Sequence, residues 1–296
     1  MDNVMSMMPT NEDINTAFAA GNGIEFGLFP DDSHDMHADL AVVGKYLGML
    51  PVEGSFAWTD EQPIRRSVWV ASTQNGEGFV TTEEELARTD GDMAAGQRGL
   101  EFLQQDEVVE PLTRLKWRAD TALRISAMAI GIPESFLSQC GTRYRLIRYE
   151  GERAGIGVHF DGNGLSAVLT DGPGLFEIGY DGTVRDVDPN AISVMPGSSV
   201  HRSSVGGERP FLPTFHAVHL GRSDVKTSVA AFWNLPDKTQ IPATLLGSKF
   251  DHDINAMKND DGPNGSLRYL WEQVATAHNV SVEALQEGKI GPYAAK

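Results

Sequence analysis

Between residues 143 and 235 the sequence alternates between short apolar runs and turn-forming clusters, and this rhythm constrains the fold more than any other feature. Clusters such as Asp171-Gly172-Pro173-Gly174 separate the apolar runs. Strands of an antiparallel sandwich, jelly roll or barrel produce this pattern, because each short strand must end in a turn. Asp181-Gly182, which lies between two such runs, predicts a two-residue hairpin. The predicted strands are 144–149, 165–169, 176–180, 191–195, 214–220 and 228–233.

Helical patterns lie on both sides of this β region. From residue 81 to residue 137 the sequence is rich in Ala, Leu, Glu and Arg. Gly131 and Pro133 are predicted to end this helical stretch. The first 80 residues have no clear pattern. Within the helical stretch, residues recur at steps of three and four, as one buried helix face requires: Leu112, Leu115, Ala119, Ala122, Leu123, Ser126 and Ile130.

A further helix is predicted near the end of the sequence, at Ser266–Ala277, and a shorter one begins at Ser281. An apolar helix face must be buried against another element. The rim of the β structure is the nearest large surface, so we expect the helix to pack over or beside its mouth. The residues of this apolar face are Leu267, Leu270, Trp271 and Val274.

The composition argues against two classes of partner. The chain has 24 Lys and Arg against 41 Asp and Glu, a formal net charge of −17. This charge opposes binding to the phosphate backbone of nucleic acids or to an anionic membrane surface. The single cysteine, Cys140, excludes an intrachain disulfide and a cysteine-based zinc site. With no signal-like segment and no apolar run of about 18 residues, we expect a cytoplasmic protein that spans no membrane.

One group of residues predicts a metal site. His159 and Asp161 lie at the end of a predicted strand, and two residues spaced by two on a strand project to the same face. His216 lies 57 residues further on, in another predicted strand. Two imidazoles and one carboxylate form the facial triad of non-haem Fe(II) oxygenases, which leaves three positions of an octahedral ion open. From the residues alone, a solvated turn histidine and a turn-capping aspartate remain an alternative.

Other histidines are weaker candidates. His37-Ala38-Asp39 repeats the His-x-Asp pattern, but it lies in a helix-like stretch where residues two apart point away from each other. His219 is three residues from His216 and is predicted to point to the opposite face of the strand. His201 precedes a polar turn and is predicted to face solvent or a substrate.

Several short motifs in the β region occur in the order and spacing of a known family. Residues 143–236 resemble the core of the iron/2-oxoglutarate-dependent dioxygenases of the isopenicillin N synthase-like superfamily. The helix at residues 112–130, followed by Gly131-Ile132-Pro133, is similar to the long support helix of that family. The motifs that carry the resemblance are 144–149 (YRLIRY), 159–161 (HFD), 165–171 (LSAVLTD), 174–178 (GLFEI), 181–187 (DGTVRDV), 196–197 (PG), 215–218 (FHAV) and 226–232 (KTSVAAF).

The resemblance implies an α+β fold with a mainly β core. The core would be a double-stranded β-helix, or jelly roll, with flanking N-terminal and C-terminal helices. We expect a single domain over residues 1–296, with a largely helical support region at 1–142, the jelly-roll core at 143–236 and a C-terminal helical segment at 237–296. The resemblance also implies Fe(II) as the metal of the triad His159, Asp161 and His216.

The resemblance further implies 2-oxoglutarate as co-substrate, held by Lys226, Ser228 and Tyr149. Two positions depart from the family pattern, because the co-substrate arginine is Lys226 and the asparagine before Tyr149 is Ile147. A lysine can still pair with the distal carboxylate, although as a point charge and not as a bidentate fork. Arg222 is a rival anchor. Lys226 is preferred because it shares a strand face with Ser228.

The implied activity is the oxidation of a small organic substrate by hydroxylation, desaturation or cyclisation. 2-Oxoglutarate and O2 would be converted to succinate and CO2. Two alternatives stay open: an O2-dependent non-haem iron oxidase of the same fold that does not use 2-oxoglutarate, and a non-oxidative, cupin-like metal-binding jelly roll that acts as an isomerase or binding protein.

Overall fold

Two antiparallel β-sheets lie face to face, with helices outside them, in the computed structural model of the chain. The structure describes residues 8–27, 29, 34–51, 64–73, 77–81, 93–133, 141–151, 155–204, 211–219, 225–234, 266–287 and 290. The helices within these ranges are α1 (Asn11–Ala19), α2 (Met36–Leu47), α3 (Met93–Leu103), α4 (Asp106–Ala129), α5 (Ser198–Ser204), α6 (Ser266–Ala277) and α7 (Val282–Gln286).

The strands confirm the predicted antiparallel core. They are β1 (Ile24–Phe26), β2 (Ile64–Ala71), β3 (Thr142–Glu150), β4 (Gly155–His159), β5 (Leu165–Thr170), β6 (Leu175–Ile178), β7 (Val184–Asp186), β8 (Ile192–Pro196), β9 (Phe215–His219) and β10 (Val225–Trp233). The main sheet has the order β1-β8-β5-β10-β3-β2, and the small sheet has the order β4-β9-β6-β7. This confirms the jelly-roll core that the resemblance implied, which is one of the three architectures that the β pattern left open.

Alternation along the strands separates the two faces of the main sheet. In β3, Tyr144 and Leu146 pack in the large core with the helices, whereas Ile147 and Tyr149 pack with residues of the small sheet. In β10, Val229 likewise faces the helices. Because side chains alternate across a strand, the intervening residues of β3, β5 and β10 line the inner face of the roll. The inner face therefore carries the candidate co-substrate residues.

The outer layer on the main sheet is built around the long helix α4. Its apolar residues at steps of three and four are buried against the sheet, as predicted. The helix ends at Ala129, and Gly131 follows with a φ of +87°, a left-handed conformation that glycine adopts without steric cost. The predicted helical stretch from 81 to 137 contains a break at Gln104 and Gln105, between α3 and α4. Residues 82–92 and 134–140 of that stretch lie outside the described residues.

The N-terminal region contributes strands as well as helices. β2 pairs with β3 along its whole length, from Ile64 opposite Glu150 to Ala71 opposite Arg143. β1 pairs with β8 at the other edge of the main sheet. The jelly roll therefore takes two strands from the part of the chain before residue 142. The local sequences of β1 and β2 did not predict strands. Both strands pair with partners that lie far away in the sequence.

The position predicted for the C-terminal helix was wrong. α6 spans the predicted residues, but Leu270 and Val274 pack against Phe176, Ile178 and Phe215 of the small sheet. These three residues alternate with Glu177 and His216, so α6 covers the outer face of that sheet and not its rim. The outer face is apolar and needs a cover, which the helix supplies.

A hairpin joins β6 to β7 at Asp181-Gly182, and Gly182 has a φ of +86°. Five residues lie between the paired Ile178 and Val184, and not the two that were predicted. Residues 237–265, the first part of the predicted C-terminal segment, lie outside the described residues. None of the described helices has both the length and the apolar character needed to cross a membrane.

Candidate metal centre

The three predicted metal ligands converge between the sheets. His159 is the last residue of β4, and Asp161 follows two residues later. His216 lies in β9, which pairs with β4 so that His159 and His216 stand directly opposite each other. Their ring centroids are 4.3 Å apart. Two strands that are distant in sequence thus bring two imidazoles and one carboxylate to a single point.

The spacing of the donor atoms suits one shared ion. Nε2 of His159 lies 3.8 Å from Oδ1 of Asp161, and Nε2 of His216 lies 3.8 Å from Oδ2 of the same carboxylate. Both distances exceed those of hydrogen bonds. The ligand atoms of the three residues all lie within 4.8 Å of one another. Across the described part of the chain, this is the one group of His, Cys, Asp or Glu side chains with such spacing.

Backbone carbonyls orient both imidazoles. Nδ1 of His159 lies 2.8 Å from the carbonyl oxygen of Gly157, and Nδ1 of His216 lies 3.0 Å from that of Thr214. A carbonyl oxygen can only accept, so each Nδ1 carries the proton and donates it. Each Nε2 is then left with its lone pair directed toward Asp161. This arrangement is typical of metal-binding histidines, whose second ring nitrogen is fixed by an acceptor.

The electrostatic surroundings keep His159 neutral. Burial, followed by the neighbouring His216, lowers the pKa of His159 to about 4, although Asp161 opposes this shift. At neutral pH the imidazole is therefore uncharged. Metal ions bind the neutral form of histidine, so this environment favours a ligand role.

A network holds the aspartate in place. The hydroxyl of Ser166 donates a hydrogen bond of 2.5 Å to Oδ2 of Asp161, and the backbone N–H of Ser198 donates to the Asp161 carbonyl at 2.8 Å. Close packing fixes the same turn, because a Cβ at Gly197 would lie 2.3 Å from the Asn163 carbonyl oxygen. The sequence interpretation missed Ser166. The sequence feature that could have identified Ser166 is its position in a predicted strand, five residues after Asp161.

The predicted co-substrate residues lie on the inner face of the main sheet. Lys226 in β10 stands opposite Tyr149 in β3, and Ser228 stands opposite Ile147. Ile147 and Tyr149 pack with Ile156 of β4 and Val218 of β9, the two strands that carry the histidines. This apolar cluster lies between the two sheets and joins β3 to the strands that carry the histidines.

Lys226 is fully buried in this inner layer. Its Nζ donates a hydrogen bond of 3.1 Å to the carbonyl oxygen of Pro173. Burial lowers the pKa of Lys226 to about 8, and the negative charge of Asp171 opposes the shift. The side chain of Ser228 lies 3.4 Å from the hydroxyl of Thr170. The rival anchor, Arg222, lies outside the described residues.

Arg145 was not among the predicted site residues, but it lies on the same inner face of the main sheet. It is two residues before Ile147 and four before Tyr149, so the three side chains share a face of β3. Its guanidinium lies 5.4 Å from the ring centroid of Trp69, its cross-strand neighbour in β2. Its positive charge contributes to the lowered pKa of His159. Its spacing of four from the motif residue Tyr149, an even number that places both side chains on one face of a strand, is the signal that could have identified it.

His37 and His201, two of the weaker candidates, are not part of the triad. Nε2 of His37 bonds to Asn190 at 3.0 Å, while Asp39 binds Arg114. His201 is buried on α5, where its Nδ1 lies 2.6 Å from the carbonyl oxygen of Phe211. Burial also lowers the pKa of His201.

The donor set of the triad fits an Fe(II) ion. Imidazole nitrogen suits iron, zinc, copper and nickel, whereas a carboxylate beside two imidazoles with open positions is typical of non-haem iron. Both imidazoles are preset by their carbonyl acceptors, the carboxylate is preset by Ser166, and the backbone of Asp161 is fixed by Ser198. The residues present therefore fit the metal that the resemblance implied.

Comparison with known proteins gave structural neighbours only. No protein-family model matches the chain, and no curated protein matches it. The dioxygenase for auxin oxidation 1 of Arabidopsis thaliana, in a binary complex with 2-oxoglutarate, is 16% identical with a TM-score of 0.50 over 82% of this chain and 98% of that chain. The rice dioxygenase for auxin oxidation is 15% identical with a TM-score of 0.53 over 95% of this chain and 94% of that chain.

A fungal protein is also similar in fold at low sequence identity. A full-length protein of Neurospora crassa, solved in complex with alpha-KG (2-oxoglutarate), is 18% identical with a TM-score of 0.52 over 79% of this chain and 83% of that chain. Such low identities bear on the fold alone. The chain thus has the fold of 2-oxoglutarate-dependent dioxygenases.

Proposed function

We propose that this protein is an Fe(II)/2-oxoglutarate-dependent oxygenase that oxidises a small organic molecule. The observation that carries the proposal is the convergence of His159, Asp161 and His216 inside a jelly roll, with both Nε2 atoms directed at one carboxylate. The fold shared with proteins whose structures contain 2-oxoglutarate supports it.

The three triad residues would hold Fe(II), with two neutral imidazoles and one carboxylate as ligands. When bound, the iron supplies the activation of O2 that couples the decarboxylation of 2-oxoglutarate to oxidation of the substrate. Gly157 and Thr214 hold the proton on Nδ1 of each histidine, which leaves Nε2 as the ligand atom of each imidazole. The protein thereby sets the geometry of the site before the ion arrives.

Lys226 would bind the distal carboxylate of 2-oxoglutarate, with Tyr149 and Ser228 beside it on the inner face. A buried ammonium attracts a carboxylate more strongly than an exposed one, because little water screens the charges. The apolar cluster that contains Ile147 and Val218 packs between the strand of Tyr149 and the two strands that carry the histidines, and so would limit the access of water to a bound co-substrate. Exclusion of water also limits side reactions of the oxidising centre.

The proposal is tested by binding and turnover of the full chain. Addition of Fe(II) and 2-oxoglutarate without oxygen should give a weak visible charge-transfer band. Aerobic incubation with a metabolite panel should release succinate and give product masses that identify hydroxylation, desaturation or cyclisation. His216→Ala should lose both signals, while the matched control His219→Ala, which changes a neighbouring histidine of β9, should keep them. A parent protein that binds no iron would refute the proposal.

A second candidate is an iron oxidase that uses O2 without 2-oxoglutarate. It is favoured by Ile147, which fills the family's asparagine position with an apolar side chain packed against Ile156 and Val218. Product formation without succinate, together with no charge-transfer band at any 2-oxoglutarate concentration, would select this candidate.

A further inference from the structure

We propose that Ser166 is a positioning residue, which holds one oxygen of the Asp161 carboxylate and so presents the other oxygen to the metal. The inference rests on the proposed function, because it assigns a role toward an ion at the triad. Ser166 is not a ligand in this scheme, and its hydroxyl acts only through Asp161.

The contact between the two residues is short, and the serine side of it is fully buried. Ser166 is the second residue of β5 and has no exposed surface. Its Oγ lies 2.5 Å from Oδ2 of Asp161 and 3.1 Å from Oδ1 of Asn163. Hydrogen bonds from a hydroxyl to a carboxylate have lengths of about 2.5–2.7 Å and are stronger than neutral ones. The hydroxyl proton is therefore directed at the carboxylate.

The hydrogen bond distinguishes the two carboxylate oxygens. Ser198 fixes the backbone of Asp161 through its carbonyl, and Ser166 fixes the end of the side chain at Oδ2. Oδ1, which faces Nε2 of His159 at 3.8 Å, is left as the better donor to an ion. A carboxylate that binds through one oxygen occupies one coordination position. With two imidazoles it leaves three of six positions open, as a facial triad requires.

A second buried serine, Ser193, serves as the control that separates a purely structural role of Ser166 from the positioning role. Ser193 is also fully buried, on β8, which pairs directly with β5. Its Oγ lies 3.5 Å from Oε1 of Glu177. Loss of either hydroxyl perturbs the same core layer, but only that of Ser166 contacts the triad carboxylate.

The experiment titrates the metal-free full chain with Co(II), followed by calorimetry and by visible absorption. Loss of an outer-sphere partner of a ligand costs about ten- to a hundredfold in metal affinity. Ser166→Ala and Ser166→Val, the latter with the shape of threonine but no hydroxyl, should therefore weaken Co(II) binding by that factor and shift the absorption bands. Ser166→Thr retains a hydroxyl and should restore both values, and Ser193→Ala should match the parent.

Unchanged affinity and absorption in Ser166→Val, in a parent that does bind Co(II), would overturn the inference. Equal losses in Ser166→Thr and Ser166→Val would also overturn it, since packing and not the hydroxyl would then be responsible. Because Thr and Val have the same shape, this pair decides the question even where Ser166→Ala does not fold. A parent that binds no Co(II) would refute the metal site itself, and the role of Ser166 with it.

Discussion

The sequence His-x-Asp occurs twice in this chain, at residues 37–39 and 159–161, and the two copies have different surroundings. In the first copy, on α2, His37 bonds to Asn190 and Asp39 turns inward to Arg114 and Arg118. In the second copy, at the end of β4, both side chains reach the same point and meet His216. Backbone geometry makes the difference, since residues two apart diverge on a helix and converge on an extended strand.

The same motif thus forms a buried ion pair in one place and the proposed metal site in the other. Asp39 is 4% exposed and Arg118 is 1% exposed, so the first copy forms a buried ion pair. In the second copy the carboxylate of Asp161 accepts a hydrogen bond from Ser166 and faces two imidazoles. Substitutions at the two aspartates should therefore affect different properties.

The largest effect is expected at the second copy. Asp161→Ala should remove iron binding, because two histidines without the carboxylate form an incomplete site. Metal analysis after reconstitution and desalting measures the occupancy. Asp39→Ala is the matched control and should retain the iron of the parent. Loss of iron in Asp39→Ala alone would reverse the assignment of the two copies.

The next effect concerns stability. Asp39→Ala removes the Asp39 carboxylate from the buried guanidinium of Arg118, and breaking a buried pair costs about 3–5 kcal/mol of unfolding free energy. Urea denaturation measures this loss. Glu110→Ala breaks the more exposed pair with Arg114 and should cost less than about 1 kcal/mol. Equal losses in the two variants would contradict a structural role for the first copy.

The third effect is on co-substrate affinity. If Lys226 binds the distal carboxylate of 2-oxoglutarate, Lys226→Ala should weaken its binding by about 2–5 kcal/mol, or roughly thirty- to several-thousandfold. Iron occupancy should stay that of the parent, in contrast to Asp161→Ala. Anaerobic titration of the charge-transfer band measures both. If Lys226→Ala binds 2-oxoglutarate as tightly as the parent does, the anchor would instead be Arg222 or Arg145.

A smaller effect follows from the pKa of Lys226, which burial lowers to about 8. The charged form binds the carboxylate and predominates below this pKa, so affinity should fall as the pH rises above it. Between pH 7 and pH 9 the charged fraction drops about tenfold, and the Kd of 2-oxoglutarate should rise by about the same factor. Lys226→Arg should abolish this dependence, because arginine stays charged. A pH-independent Kd in the parent would argue against Lys226.

The smallest effect is expected at His37, the histidine of the first copy. Its bond to Asn190 is exposed, and surface contacts of this kind contribute within about 0.5 kcal/mol. His37→Ala should therefore leave both the unfolding free energy and iron occupancy close to those of the parent. A marked loss of iron would place His37 in the metal site and remove the contrast between the two copies.

The amino-acid sequence by itself determined the elements whose signal is local. Alternation of apolar residues and turn clusters predicted the strands of the core, steps of three and four predicted α4 and α6, and Asp181-Gly182 predicted the β6–β7 hairpin. The grouping of His159, Asp161 and His216 was also predictable, because motif spacing carried it. Periodicity reports the face that each element buries, which is a property of a few consecutive residues.

The tertiary structure decided what depends on partners distant in the sequence. The pairing of β2 with β3, the placement of α6 on the outer face of the small sheet, and the contact of Ser166 with Asp161 are all of this kind. Arg145 and Trp69 meet for the same reason. A short strand or a single hydroxyl has no period to detect, and its role is set by packing between surfaces that come together only when the chain folds.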